Sequence, residues 1–159
     1  MTERVAVAIE NSSYKNHQIM SNFLIINNLE SIKDYHIVEI DGQKSHTLRG
    51  FYEEIAKGLA FPEYFGFNLD SLDEMLNDLS WVEQEKIAIY IAHSEHFIEK
   101  ERNPDKLPTL LDLLDATCED WEWVDEDDDF PKKEIIIAFS PSERIIKLLD
   151  SQEISYEIK

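Results

Sequence analysis

Two stretches of this chain, Lys86–Ala92 and Glu134–Phe139, are apolar at nearly every position. A strand with one wet face alternates apolar and polar residues. An unbroken apolar run is covered on both faces, the usual condition of a parallel sheet. Parallel neighbours need a crossover between them, and the chain supplies one: Pro108 suits a helix's first turn, and Leu110, Leu111, Leu113 and Leu114 follow it. The pattern recurs upstream. His36–Asp41 alternates through Ile37, Val38 and Ile40 and ends at Asp41-Gly42, a turn signal. Thr47 can cap the next helix, in which Leu48, Phe51, Tyr52, Ile55 and Leu59 recur at helical spacing. Phe61-Pro62 stops it, because the residue before proline avoids the helical region. A second helix begins near Asn68, with an apolar stripe of Leu69, Leu72, Met75, Leu76 and Leu79.

The ends read similarly. Residues 4–9 form a strand, and residues 17–29 a helix carrying Met20, Phe23, Leu24 and Ile25. Residues 142–149 form a short helix and residues 154–158 a last strand or tail. Strands alternating with helices predict an α/β fold with a mostly parallel sheet and right-handed crossovers. The 159 residues make one domain, residues 1–159.

Charge narrows the function. The chain holds 34 Asp and Glu against 15 Lys and Arg, a net −19. This excludes sequence-independent binding to nucleic acid, which needs clustered bases, and docking on an anionic membrane. Gly42, Gly50, Gly58 and Gly66 never form a Gly-x-Gly cluster, so a dinucleotide or P-loop fingerprint is absent. Cys118 is the lone cysteine and reads as a structural thiol. No signal segment is evident and no run approaches the roughly 20 apolar residues of a membrane span, so a cytoplasmic location is expected.

The acids are patterned. No Lys or Arg lies between Lys57 and Lys86, while Glu63, Asp70, Asp73, Glu74, Asp78, Glu83 and Glu85 do. None lies between Lys106 and Lys132 either, where ten acids run from Asp112 to Asp129. These two windows hold half of all the acids. The second reads as a solvated face, with Asp125 to Asp129 an acidic loop. In the first, Asp70, Asp73 and Glu74 stand three and four apart on one helix face, where like charges cost a few tenths of a kcal/mol each. A cost kept without internal compensation suggests that a partner brings the positive charge.

The run Phe61-Pro62-Glu63-Tyr64-Phe65-Gly66-Phe67-Asn68-Leu69-Asp70-Ser71-Leu72 resembles the central motif of the barstar family, intracellular inhibitors of barnase-like ribonucleases. The resemblance covers roughly residues 35–140, reaching Trp81-Val82-Glu83 and both apolar strands. It implies a two-layer fold with a three-stranded parallel sheet packed by helices. Residues 1–34 and 141–159 are additions, expected to pair further strands in parallel and give four or five in all. It also implies that the helix after Gly66 enters a ribonuclease active site, its carboxylates standing in for RNA phosphate. By this resemblance Tyr64 and Asp70 contact the enzyme and Gly66 and Asn68 shape the loop. Glu74 falls where the prototype has its dominant Asp, and Asp73 where it has Trp. Met75 replaces a family Cys, and a further acid on the prototype's later helix has no clear counterpart.

The resulting expectation is an immunity-type inhibitor, not an enzyme, binding a ribonuclease toxin one to one without cofactor or metal. The alternative is a barstar-like module binding a basic non-nuclease partner, which the changes at Asp73 and Glu74 would suit. His93 and His96 offer two imidazoles but no nameable third ligand, and read as ordinary loop histidines. Trp121 and Trp123 alternate with acids, as either an edge strand, an exposed patch or core.

Overall fold

The computed structural model describes residues 21–125 and 131–159. The strand expected over residues 4–9 and most of the acidic loop lie outside the described residues. Strands β1 (Phe23–Ile25), β2 (His36–Asp41), β3 (Lys86–Ala92), β4 (Glu134–Phe139) and β5 (Tyr156–Ile158) form one sheet in the order β2-β3-β4-β1-β5. Every pairing is parallel. One register row crosses the whole sheet: Val38, Ile89, Ile137, Phe23 and Tyr156, all buried.

Helices α1 (Leu48–Gly58), α2 (Leu69–Asp78), α3 (Lys106–Glu122) and α4 (Glu143–Ser151) bury their apolar stripes in one cluster with that row. Their starts are chemically specified. Thr47 accepts from the Gly50 N–H, Asn68 from Ser71 and Ser142 from Ile145, each satisfying a donor that the helix leaves open. The opposite face carries Leu24, Ala88, Ile136 and Ala138, packed with Ile26 and Ile32 and fringed by Tyr35, Ile37 and Tyr90. Ile32 ends a 3-10 turn, Leu29–Ile32, in the connection from β1 to β2.

Crossover handedness explains this division. From β2 to β3 to β4, and from β4 to β5, the chain advances in one direction, and right-handed crossovers put all the helices on one face. From β1 to β2 it must return past β4 and β3, so a right-handed connection runs over the other face. Residues 26–35 do so, and they contribute the cover that the second face needs.

The helix expected over residues 17–29 is corrected: Phe23, Leu24 and Ile25 are β1, buried on both sides. Spacing of i, i+3 and i+4 fits a helix, but a short run of consecutive apolar residues fits an interior strand equally well. β1 lies between β4 and β5, so the last strand pairs in parallel with β1 and not with a strand of residues 35–140. Trp121 and Trp123 are not an edge strand. Trp121 is core in the last turn of α3, while Trp123, just past its end, is 77% exposed.

Two contacts hold α2 in place. The Trp121 Nε1–H donates to the Leu76 carbonyl at 2.7 Å, satisfying an open acceptor in the last turn of α2. The buried Lys133 Nζ donates to the Val82 and Gln84 carbonyls at 2.8 and 2.9 Å, fixing the segment after α2 against β4. Trp121→Phe keeps an aromatic ring but leaves the Leu76 carbonyl buried without this donor. Stability should fall by about 1–3 kcal/mol. Urea unfolding followed by circular dichroism should show a lower midpoint at unchanged slope.

Candidate functional site

The segment before α2 begins where α1 stops. The Ala60 N–H donates to the Lys57 carbonyl at 3.4 Å and the Phe61 N–H to the Ala56 carbonyl at 2.9 Å. Ala60 sits at φ 51°, so this is a Schellman stop with alanine in the left-handed position usually held by glycine. Pro62 then prevents any continuation. The Phe65 N–H donates to the Pro62 carbonyl at 3.0 Å, closing a turn that lifts Tyr64 into solvent, 68% exposed. Phe65 points inward and packs against Phe61, Tyr52 and Phe67, with ring centroids 4.9, 6.0 and 4.7 Å away. Trp81 closes this aromatic group against Phe61 and donates its Nε1–H to the Leu59 carbonyl at 2.8 Å.

Gly66, Phe67 and Asn68 are stapled onto the first turn of α2. The Asn68 side chain accepts from the Ser71 N–H at 2.8 Å and donates to the Gly66 carbonyl at 3.2 Å. The Ser71 hydroxyl accepts from the Gly66 N–H at 2.8 Å. A Cβ on Gly66 would lie 3.1 Å from Asn68 Nδ2, tight enough to push that amide aside. Phe67 adopts φ 52°, a conformation costing about 1–2 kcal/mol for a residue with a Cβ. The Arg49 guanidinium, from the first turn of α1, lies 4.2 Å from the centre of the Phe67 ring and is steadied by Glu53 at 3.1 Å. Sequence reasoning missed Phe67 and Arg49. Their spacing of 18 positions carries no local signal, and only the fold brings them together.

Along α2, Leu72, Met75 and Leu76 are buried, and Asp70, Asp73 and Glu74 face solvent. Asp70 stands in the first turn, where the helix dipole favours it. Asp73 accepts from the Asn77 side-chain amide at 3.0 Å. Among the described residues, no Lys, Arg or His forms an ion pair with Asp70, Asp73 or Glu74. The chain thus presents an aromatic ring, a fixed loop and three carboxylates, carried on consecutive segments. Tyr64, Asp70, Asp73 and Glu74 offer their side-chain ends to solvent, while Gly66 and Asn68 shape the loop beneath them.

The second acidic window is partly engaged internally. The Asn22 side-chain amide, just before β1, donates to Asp115 at 2.9 Å and to Glu119 at 3.0 Å. Burial holds the Asp115 carboxyl above its ordinary value, outweighing the Asn22 bond. Cys118 is buried beside them; burial, then the Asp115 and Glu119 charges, push its thiol well up, so it stays unionised and inert. No helix among the described residues is long and apolar enough to cross a membrane.

The loop staple generates a stability test. Asn68→Ala removes the cap and should cost about 1 kcal/mol in thermal or urea unfolding. Asn68→Asp keeps the acceptor for the Ser71 N–H and should recover most of that loss, although the bond to the Gly66 carbonyl goes.

No curated protein matches the chain with significance. A family model does: the one described as Barstar (barnase inhibitor) matches residues 35–134, from just before β2 to the start of β4. That family is one of inhibitors, not enzymes, and its partners are barnase-like ribonucleases. The matched region is well over half of the chain and contains the whole of the loop and helix described above, so the chain belongs to the barstar family.

Proposed function

We propose that this protein is an immunity-type inhibitor that blocks a ribonuclease toxin one to one, inserting α2 and the loop before it into the enzyme's RNA cleft. The observation that carries this reading is the exposed carboxylate face of Asp70, Asp73 and Glu74, with which no Lys, Arg or His among the described residues forms an ion pair. A ribonuclease cleft is lined by the bases that hold phosphate. Carboxylates accept charge-assisted, bidentate bonds from guanidinium groups much as phosphate oxygens do. Tyr64 would lie against the rim of the cleft as an aromatic contact with a polar tip. The inhibitor contributes no catalytic group; it occupies the space and the charges that RNA needs.

Asp70→Ala and Glu74→Ala test this directly. Each should leave the melting temperature unchanged or slightly raised, because like-charge repulsion is relieved. Each should weaken binding by about 3–5 kcal/mol, because a base in the closed cleft loses its partner. Asp73→Ala should matter less, since the Asn77 amide already holds that carboxylate. The measurements are thermal unfolding and inhibition of RNA cleavage, first with barnase and then with ribonucleases recovered from the native extract. Full affinity in both variants would move the docking surface to α3. Tight binding to a basic protein without nuclease activity would favour the interaction-module alternative.

Salt separates steering from contact. The Debye length is about 8 Å at physiological ionic strength, so added salt screens the approach of the acidic face but not the closed interface. Association should slow markedly with salt while dissociation changes little, as read by stopped-flow mixing with the nuclease. An association rate indifferent to salt would mean that α2 is not what meets the partner.

A further inference from the structure

At the end of the sheet where β2 and β3 finish, two loops bring His46, His96 and Glu99 together, with one donor atom of each within 4.8 Å of the others. The Nδ1 atoms of His46 and His96 approach the same Glu99 Oε1, at 3.0 and 3.1 Å. We infer that these three side chains form a binding site for a divalent transition-metal ion of the zinc class, with its fourth position open to water.

Donor chemistry supports the assignment. Two imidazoles and one carboxylate suit zinc, whereas magnesium and calcium want sets built from oxygen. With metal–ligand distances of about 2.0–2.2 Å, tetrahedral donors stand roughly 3.3–3.6 Å apart. The two N···O separations are a few tenths shorter, so small side-chain rotations would admit the ion. His46 Nδ1 is shielded from solvent yet has no well-directed hydrogen bond, although Glu99 is close.

The surroundings are built to hold the geometry. The Ile98 N–H donates to the Ser45 carbonyl at 2.7 Å and the Lys100 N–H to the His46 carbonyl at 2.9 Å, bracketing Glu99 against His46. The Glu99 N–H donates to the His96 carbonyl at 3.2 Å, closing the turn that sets those two side by side. With its Nδ1 toward the site, His96 keeps Nε2 at 3.7 Å from Glu95 Oε1, an ion-pair separation beyond hydrogen-bond distance. The nearby Arg144 directs Nη1 to the Phe97 carbonyl at 2.6 Å. His93 is outside the cluster; its Nδ1 meets Asp41 at 3.2 Å. Sequence spacing suggested His93 with His96, and folding replaces His93 by His46 and adds Glu99. His46 immediately precedes Thr47, the cap of α1, so a bound ion would fasten the start of α1 to the segment after β3.

The test uses the untagged, chelator-treated full chain and zinc chloride alone, so it stands apart from any nuclease assay. Calorimetry should give saturable binding of one zinc per chain, and cobalt chloride should give the visible bands of a tetrahedral ion. Zinc at one hundred times its dissociation constant should raise the melting temperature by about 5–10 °C, while magnesium does not. His96→Ala and Glu99→Gln should abolish the cobalt bands and the shift. His93→Ala should bind as the parent does. Circular dichroism of the metal-free variants checks their folding, and the cobalt spectrum of the unmutated chain decides the matter without any variant. No saturable binding, an octahedral cobalt spectrum, or binding that survives in folded His96→Ala and Glu99→Gln would overturn the inference.

Discussion

A parallel sheet has to be covered on both faces, and this chain covers its two faces by different means. The helices form one layer, against the row from Val38 to Tyr156. The other face has the connection of residues 26–35, with Ile32 set into it. Both arrangements follow from the handedness of crossovers once the strand order is given. That order makes β1 an interior strand, and so all three of its residues are buried despite its short length. The position of α2 descends from the same constraint. It is the second of two helices between β2 and β3, laid on α3 and held there by the Trp121 indole.

Helix α2 carries two incompatible demands on its two faces. Leu72, Met75 and Leu76 serve the core, while Asp70, Asp73 and Glu74 face solvent, and among the described residues only the Asn77 amide holds one of them, Asp73. The contrast with α3 is instructive. There Asp115 and Glu119 receive the Asn22 amide and contribute to the attachment of the first strand. Sequence windows of similar charge therefore differ once folded: one is partly engaged in the structure, the other is left for solvent or a partner. A carboxylate with no internal bond can be removed without loss of packing, as the proposed function requires of its contact residues.

Much of this was legible in the sequence because it is local. The unbroken apolar runs marked β3 and β4, Thr47 and Asn68 marked helix starts, and Phe61-Pro62 marked the stop. The spacing of Asp70, Asp73 and Glu74 gave their shared face. What could not be read is what depends on strand order. Phe23, Leu24 and Ile25 were ambiguous between helix and strand, since a three-residue interior strand has no alternation to show. The order β4-β1-β5 places an early and a late segment beside each other, with no trace in any window of the chain. His46 with His96, and Arg49 with Phe67, are likewise pairs that only the loops at the sheet's end bring together. Trp121 and Trp123 show the limit at single-residue scale: two positions apart at a helix end, one is core and the other solvent.

The loop before α2 is held in one conformation by the fold itself. Two of its residues with side chains, Ala60 and Phe67, hold positive φ, and each costs about 1–2 kcal/mol. Neither is free to relax. Ala60 is fixed by the paired bonds that end α1, and Phe67 by its contacts with Phe65 and the Arg49 guanidinium. A cation over an aromatic face contributes about 0.5–1 kcal/mol at an exposed site, the same order as the strain it offsets. Ser71 and Asn68 then tie Gly66 to the helix start. The conformational entropy of this segment is lost when the chain folds, not when it meets a partner, so less binding energy goes to ordering it. Arg49 is directed at a ring and at Glu53 rather than at the carboxylates of α2. Under the proposed function, a loop held rigid by the fold and an acidic face that no Lys, Arg or His among the described residues pairs with are the two properties that recognition by a basic cleft requires.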